Sequence, residues 1–140
     1  MHPEVFSIFV YGTLQRGEER EPMWPRVPRL IELGTIRGRL FDLGPYPALT
    51  EGDDLIRGEL WHLEPKDIGV TLDVLDEIEC YGKDDIDLYL RRVVAARTEN
   101  GQTVEAFTYF FASPDELAKY ACVQPNEEGI CRWHRYLTSS

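Results

Sequence analysis

A chain of 140 residues, 43% hydrophobic and 29% charged, is long enough to bury one core without a metal or disulfide staple. Its formal charge of −10 argues against a nucleic-acid partner, because phosphate binding depends on concentrated Lys and Arg, and the richest basic clusters, Arg37 to Arg39 and Arg91 to Arg92, are short. No apolar run approaches the roughly 18 residues a membrane span needs, so no membrane partner is expected, and any anion bound by so acidic a protein requires a local site built for it.

The opening MHPEVFSIFVYG has no basic leader before its apolar stretch, which predicts a cytoplasmic chain. Val5 to Tyr11 is β-branched and aromatic, as a buried strand should be, and closes in a turn from Gly12 to Gly17. Such a turn either takes Gly12 for a positive φ or bares its N–H groups to hold a ligand. Residues 18–30 hold three prolines and many charges and read as a loop or short irregular helix. Glu32 to Leu43 is a strand whose Gly34 and Gly38 suggest bulges or tight curvature, and GPYPALTEGDD reads as a turn-rich connection. Leu55 to Leu63 is a further strand, with Gly58 inside it. Pro65 to Tyr81 then changes to a helical period, ended by Gly82. Leu88 to Thr98 and Thr103 to Phe111 flank ENGQ, whose Asn-Gly is a strong hairpin signal. ASPDELAKY has the makings of a short helical turn before an irregular tail. About five strands and one substantial helix give an α+β fold with a strongly curved mixed or antiparallel sheet, barrel-like, in one domain over residues 1–140.

One carboxylate stands out. Counted from Ile68, Leu72, Leu75 and Glu79 share a narrow helical arc, whereas Glu77 falls opposite and Asp73 and Asp76 lie on flanks suited to solvated charges. A glutamate on the apolar stripe has its pKa raised by desolvation, and the end of a helix pushes the same way. That makes Glu79 a candidate general acid and base; the competing reading is a half-buried side chain whose tip meets an arginine such as Arg91.

Other chemistries fail on spacing. GTLQRGEE begins like a phosphate loop but continues with Glu18 and Glu19 where Lys and Ser/Thr belong. There is no G-x-S-x-G elbow, and His2, His62 and His134 form no metal-binding pattern, so no metal or other cofactor is expected. Cys80, Cys122 and Cys131 are odd in number, lack C-x-x-C spacing and suit a reducing compartment. No second carboxylate shares the apolar face of Glu79, as a paired-carboxylate glycosidase would need.

FVYGTLQRG, FDLGPYPAL, LDEIECY, LYLRRVV and RWHRY together, in this order and across nearly the whole chain, resemble the γ-glutamylcyclotransferase-like proteins, nearest in motif to their γ-glutamylamine cyclotransferase branch. The resemblance implies a small β-barrel with flanking helices and cofactor-free release of 5-oxoproline from a small γ-glutamyl amine or amino acid. It implies Glu79 as the catalytic acid and base, a binding loop of Tyr11, Gly12, Thr13 and Leu14, and contributions from Tyr89 and Arg91. Tyr46 in GPYPAL either flanks the cavity or packs a proline-rich turn, and Arg91 either neutralises a substrate carboxylate or pairs with an acidic neighbour. Cys80-Tyr81 stands where a glycine is common and GKDDID lengthens the gap to Tyr89, changes that bear on the pocket entrance. The readings from other classes are a noncatalytic small-molecule binding module with the same cavity, and an interaction scaffold with an exposed apolar patch and no closed cavity.

Overall fold

The computed structural model describes residues 5–44, 46–79 and 89–133. Gly82, Cys80, Tyr81, the GKDDID segment, His2 and His134 lie outside the described residues.

Strand β1 (Ser7–Val10) runs antiparallel to β3 (Pro47–His62), which pairs along β2 (Leu30–Asp42) in the longest ladder of the fold. β2 continues to β4 (Tyr89–Thr98), and β4 to β5 (Thr103–Phe111) through the Asn100-Gly101 hairpin, with Gly101 at φ 87°. β5 returns to β1 in parallel, Ile8 opposite Phe107, and closes a mixed barrel of five strands. Two-residue strands β6 (Ala121–Cys122) and β7 (Ile130–Cys131) extend the sheet beside β2 and β3, so the tail is not wholly irregular.

Closure demands curvature, and the glycines inside β2 and β3 supply it. The β2–β3 register shifts between Gly38 and Arg39, and Gly34 lies opposite Gly58. A Cβ on Gly58 would collide with the Val10 carbonyl oxygen and stand 2.7 Å from Phe9 Cζ, so only a bare backbone lets β1 lie this close to β3.

The turn-rich reading of residues 44–54 is corrected by the ladder: β3 begins at Pro47. The reversal fits between Asp42 and Pro47, where Gly44 at φ 96° donates its N–H to Asp42 Oδ1 at 2.8 Å and the Leu43 N–H reaches Tyr46 O at 3.1 Å. Ala48 and Leu49, both buried, then resume the pairing with Phe41 and Leu40.

Alternation along β1 separates two cores. Phe9, with Tyr11 beyond the strand, points into the barrel among Ile36, Leu40, Leu49, Ile56 and Phe110. Ile8 and Val10 point outward, where helix α1 (Ile68–Ile78) covers them with Leu72 and Leu75. Burial on both faces explains why β1 reads as a continuous apolar run. A single 3-10 turn at Pro65–Asp67 leads into α1, and another at Pro114–Lys119 occupies the predicted helical turn. No helix among the described residues is long and apolar enough to cross a membrane.

Two Gly-to-Ala substitutions are expected to act in opposite directions. Gly58→Ala forces β1 away from β3 and lowers stability by about 1–3 kcal/mol. Gly69→Ala, exposed on α1 with no atom near its Cβ position, raises it by about 0.5 kcal/mol. Urea midpoints of the two variants against wild type check both signs.

Candidate active site

β1 ends at the mouth of the barrel, and the chain beyond it is folded back on itself. Gly12 O accepts the N–H of Gln15 at 3.1 Å and the Gln15 side-chain amide at 3.2 Å; Thr13 O accepts the N–H of Arg20 at 2.8 Å. Leu14 O takes the indole N–H of Trp24 at 2.9 Å, and the Trp24 ring stacks on Trp61 of β3 with centroids 3.9 Å apart. The buried carboxyl of Glu59, also on β3, accepts the Arg16 N–H at 2.9 Å, Arg16 Nε at 3.3 Å and Trp61 Nε1 at 3.1 Å. The loop's carbonyls are therefore occupied, while among the described residues no acceptor meets the N–H groups of Gly12, Thr13 or Leu14.

Gly12 is not at positive φ; that conformation belongs to Gly17, at 82°. Gly12 is instead required by close approach, because a Cβ there would lie 2.7 Å from the Pro47 ring.

Glu79 follows directly on the last residue of α1, with its N–H still bonded to Leu75 O at 2.9 Å, which holds the side chain on the apolar stripe as the periodicity predicts. Burial raises its pKa from the ordinary 4.5 to about 7, opposed by the positive charge of Arg20. Among the described residues its carboxyl has no hydrogen-bond partner.

The surrounding tyrosines are engaged. Tyr11 OH donates to Tyr109 O at 2.6 Å, Tyr89 OH to Pro47 O at 2.8 Å, and Tyr109 OH to Asp76 Oδ1 at 2.6 Å. Burial pushes the pKa of all three well above the ordinary tyrosine range, with the charge of Glu79 adding to the shift in each. Tyr46, half-buried, sets its ring edge-on to Tyr89 at 6.5 Å.

These groups share one cavity of about 180 Å³, walled by Tyr11, Gly12, Thr13, Leu14, Tyr46, Tyr89 and Glu79 together with Arg20, Pro47 and Tyr109. Of the residues singled out in the sequence, Arg91 alone is absent from that wall. Its guanidinium meets Asp76 Oδ2 at 2.6 Å, the acidic-neighbour alternative, and Asp76 is accordingly not the solvated flank residue its helical position suggests. Two lining residues with polar side chains were not singled out in the sequence, Arg20 and Tyr109. Arg20 sits in a stretch with no regular period, and Tyr109 looked like one aromatic among several on β5.

Residues 8–130 match the family described as gamma-glutamyl cyclotransferase, AIG2-like. The chain belongs to this family. The gamma-L-glutamyl-butirosin B gamma-glutamyl cyclotransferase of Niallia circulans is 32% identical over 113 residues, 79% of this chain and 70% of the relative. Among solved structures, YkqA from Bacillus subtilis superposes with a TM-score of 0.59 at 24% identity, over 76% of this chain but only 35% of its own length. A gamma-glutamyl cyclotransferase structure gives a TM-score of 0.50 at 14% identity, over 89% of this chain and 73% of that one. The two structural likenesses concern the barrel fold; family membership makes the protein an enzyme of the γ-glutamyl cyclotransferase kind.

In this family member the raised pKa of Glu79 has a thermodynamic signature. The folded state holds the Glu79 proton more tightly than the unfolded chain, so this group costs nothing below about pH 4.5 and destabilises progressively as pH rises to about 7. The cost at the plateau is on the order of 2 kcal/mol, after allowance for solvent reaching the cavity. Glu79→Gln is expected to match wild type in urea unfolding near pH 4 and to exceed it in stability at pH 8.

Proposed function

We propose that the protein releases 5-oxoproline from a small γ-glutamyl amine or amino acid, with Glu79 carrying the protons. The observation behind this reading is that a desolvated carboxyl and three main-chain N–H groups, none of them bonded among the described residues, border the same cavity.

In this reaction the substrate supplies its own nucleophile. The α-amine lies a five-membered ring away from the γ-carbonyl, so little entropy remains to be lost on reaching the transition state. The carboxylate form of Glu79 takes a proton from the α-ammonium, and the freed amine attacks the γ-carbon. The carbonyl π pair moves to oxygen, where the amides of Gly12 to Leu14 supply fixed donors for the developing charge. Glu79 passes a proton to the departing nitrogen as the C–N bond breaks and the carbonyl re-forms. Glu79, ionised again, then takes the second proton from the ring nitrogen, and that proton ends on the released amine, which becomes an ammonium. A carboxyl with a pKa of about 7 suits both halves of this exchange.

The cavity volume of about 180 Å³ falls below the roughly 300–1,000 Å³ of sites that enclose drug-sized ligands, which suits a γ-glutamyl group inside and the leaving amine at the mouth. The Niallia circulans relative is named for a γ-glutamyl group borne by butirosin B, a further reason to place the leaving portion outside. A noncatalytic binding module would gain nothing from an acid that weakens the fold, which favours turnover.

Incubation with a panel of γ-glutamyl amines and amino acids, followed by chromatography for 5-oxoproline, tests the reading. Glu79→Gln is expected to lower kcat by about 10²–10⁴-fold with binding mostly retained. The wild-type kcat/KM should rise with pH through about 7 and level off above it. Turnover unchanged in Glu79→Gln, or no 5-oxoproline from any member of the panel, would refute it.

A further inference from the structure

We propose that Arg20 anchors the α-carboxylate of the γ-glutamyl group, so that a free α-carboxylate is a condition of recognition and the Gly12 to Leu14 amides are left to the reacting carbonyl oxygen. This rests on the reaction proposed above and assigns its substrate class.

Among the described residues the cavity wall carries two charged side chains, Glu79 and Arg20, of opposite sign. The head of a γ-glutamyl group is itself a pair of opposite charges, an ammonium and a carboxylate on one carbon. Glu79 must face the ammonium whose proton it takes, so the carboxylate on the same carbon is best met by a cation on the adjoining wall. Among the described residues Arg20 is the basic one there.

Its guanidinium is available for the task. Arg16, Arg26, Arg29, Arg57, Arg91 and Arg92 each hold a carboxylate within 4.0 Å, whereas Arg20 forms no such pair among the described residues. This occurs in a run that reads Glu18-Glu19-Arg20-Glu21, where carboxylates are plentiful in sequence. Glu21 turns away to the Gly17 N–H at 3.0 Å. An arginine kept clear of neighbouring acids and directed to a cavity presents its planar fork to an incoming carboxylate.

Position is fixed along with charge. The Arg20 N–H is bonded to Thr13 O at 2.8 Å, and its own carbonyl accepts the Met23 N–H at 3.0 Å. The anchor and the amides that would receive the oxyanion therefore belong to one bonded loop, a geometry suited to holding the γ-carbon in register with both.

Occupation of Arg20 also tunes the base. Among the described residues the groups that face Glu79 are Arg20 from the loop, Tyr11 from the end of β1, Tyr89 from β4 and Tyr109 from β5. The tyrosines stay neutral, so Arg20 is the charge that lowers the Glu79 pKa. A bound carboxylate offsets that charge and makes Glu79 a stronger base when the ammonium is beside it.

Titration calorimetry with 5-oxoproline and with its carboxamide, 5-oxoprolinamide, tests the anchor without requiring turnover. Arg20→Met is expected to weaken 5-oxoproline binding by about 10- to 100-fold and to leave carboxamide binding within about twofold, with Arg20→Lys recovering part of the loss. In kinetics, the acid limb of kcat/KM should move above its wild-type position near pH 7 in Arg20→Met. Equal losses for both ligands, no loss for either, or a wild type that binds neither would overturn the assignment. Discrimination between carboxylate and carboxamide with no 5-oxoproline released would instead count against the proposed reaction and leave the anchor standing.

Discussion

The site depends on the buried carboxyl of Glu59. A charged group is costly inside a fold unless its lone pairs are occupied, and here both oxygens are: Oε1 by the Arg16 N–H and the Trp61 indole, Oε2 by the Arg16 guanidinium. Glu59 stands opposite Val10 in the β1–β3 ladder, so it seizes the chain just after β1 ends and fixes where the following loop can go. Trp24, stacked on Trp61, closes the same loop from its far side and takes Leu14 O. The carbonyls are consumed in holding the loop, and the amides are what remain. Donors set in place before substrate arrives need no reorganisation when charge develops, which is the condition for strong electrostatic stabilisation.

The tyrosines settle which group on the cavity wall can titrate near neutrality. Tyr11, Tyr89 and Tyr109 each donate the hydroxyl proton to a fixed protein acceptor, and each has its pKa pushed well above the ordinary range. They act as low-dielectric walls. The same walls raise Glu79 into the useful range and lengthen the reach of Arg20, because charge interactions weaken less where water is excluded. Asp76, one helical turn short of the site, is spent on Tyr109 and Arg91 and ties α1 to β4 and β5, which keeps the helix end over the barrel mouth.

Features fixed by neighbours in sequence were legible; features fixed by distant partners were not. The apolar run of β1, the Asn100-Gly101 hairpin and the stripe from Ile68 to Glu79 follow from local period and turn chemistry, and the structure has them where the pattern put them. The early start of β3 was hidden because Glu51, Gly52, Asp53 and Asp54 look like a turn, yet the β2 ladder carries the backbone across the register shift at Gly38. Gly12 was legible as a necessary glycine, but its reason, the Pro47 ring packed against it, lies 35 positions away in sequence. Arg20 carried no signal, since nothing in a proline-broken, charge-rich segment says which arginine turns inward.

Geometry alone would suggest a second reactive centre. The Ser7 hydroxyl lies 2.7 Å from His62 Nδ1, and His62 Nε2 lies 2.6 Å from Glu32 Oε2, a serine, histidine and carboxylate in a row. Ser7 is buried in β1, however, and none of the three borders the cavity. Their bonds run across β1, β3 and β2: Ser7 is paired with His62, and Glu32 lies opposite Leu60, two positions along β3 from His62. The row is a strap across three strands, its polar valences used up within the protein. Glu79, Arg20 and the Gly12 to Leu14 amides differ in the one respect that matters for chemistry: each borders the cavity with bonding capacity left over. Among the described residues buried side-chain polar atoms are matched except for Glu18 Oε1, and unspent valence directed at a shared space separates a candidate site from a structural tie.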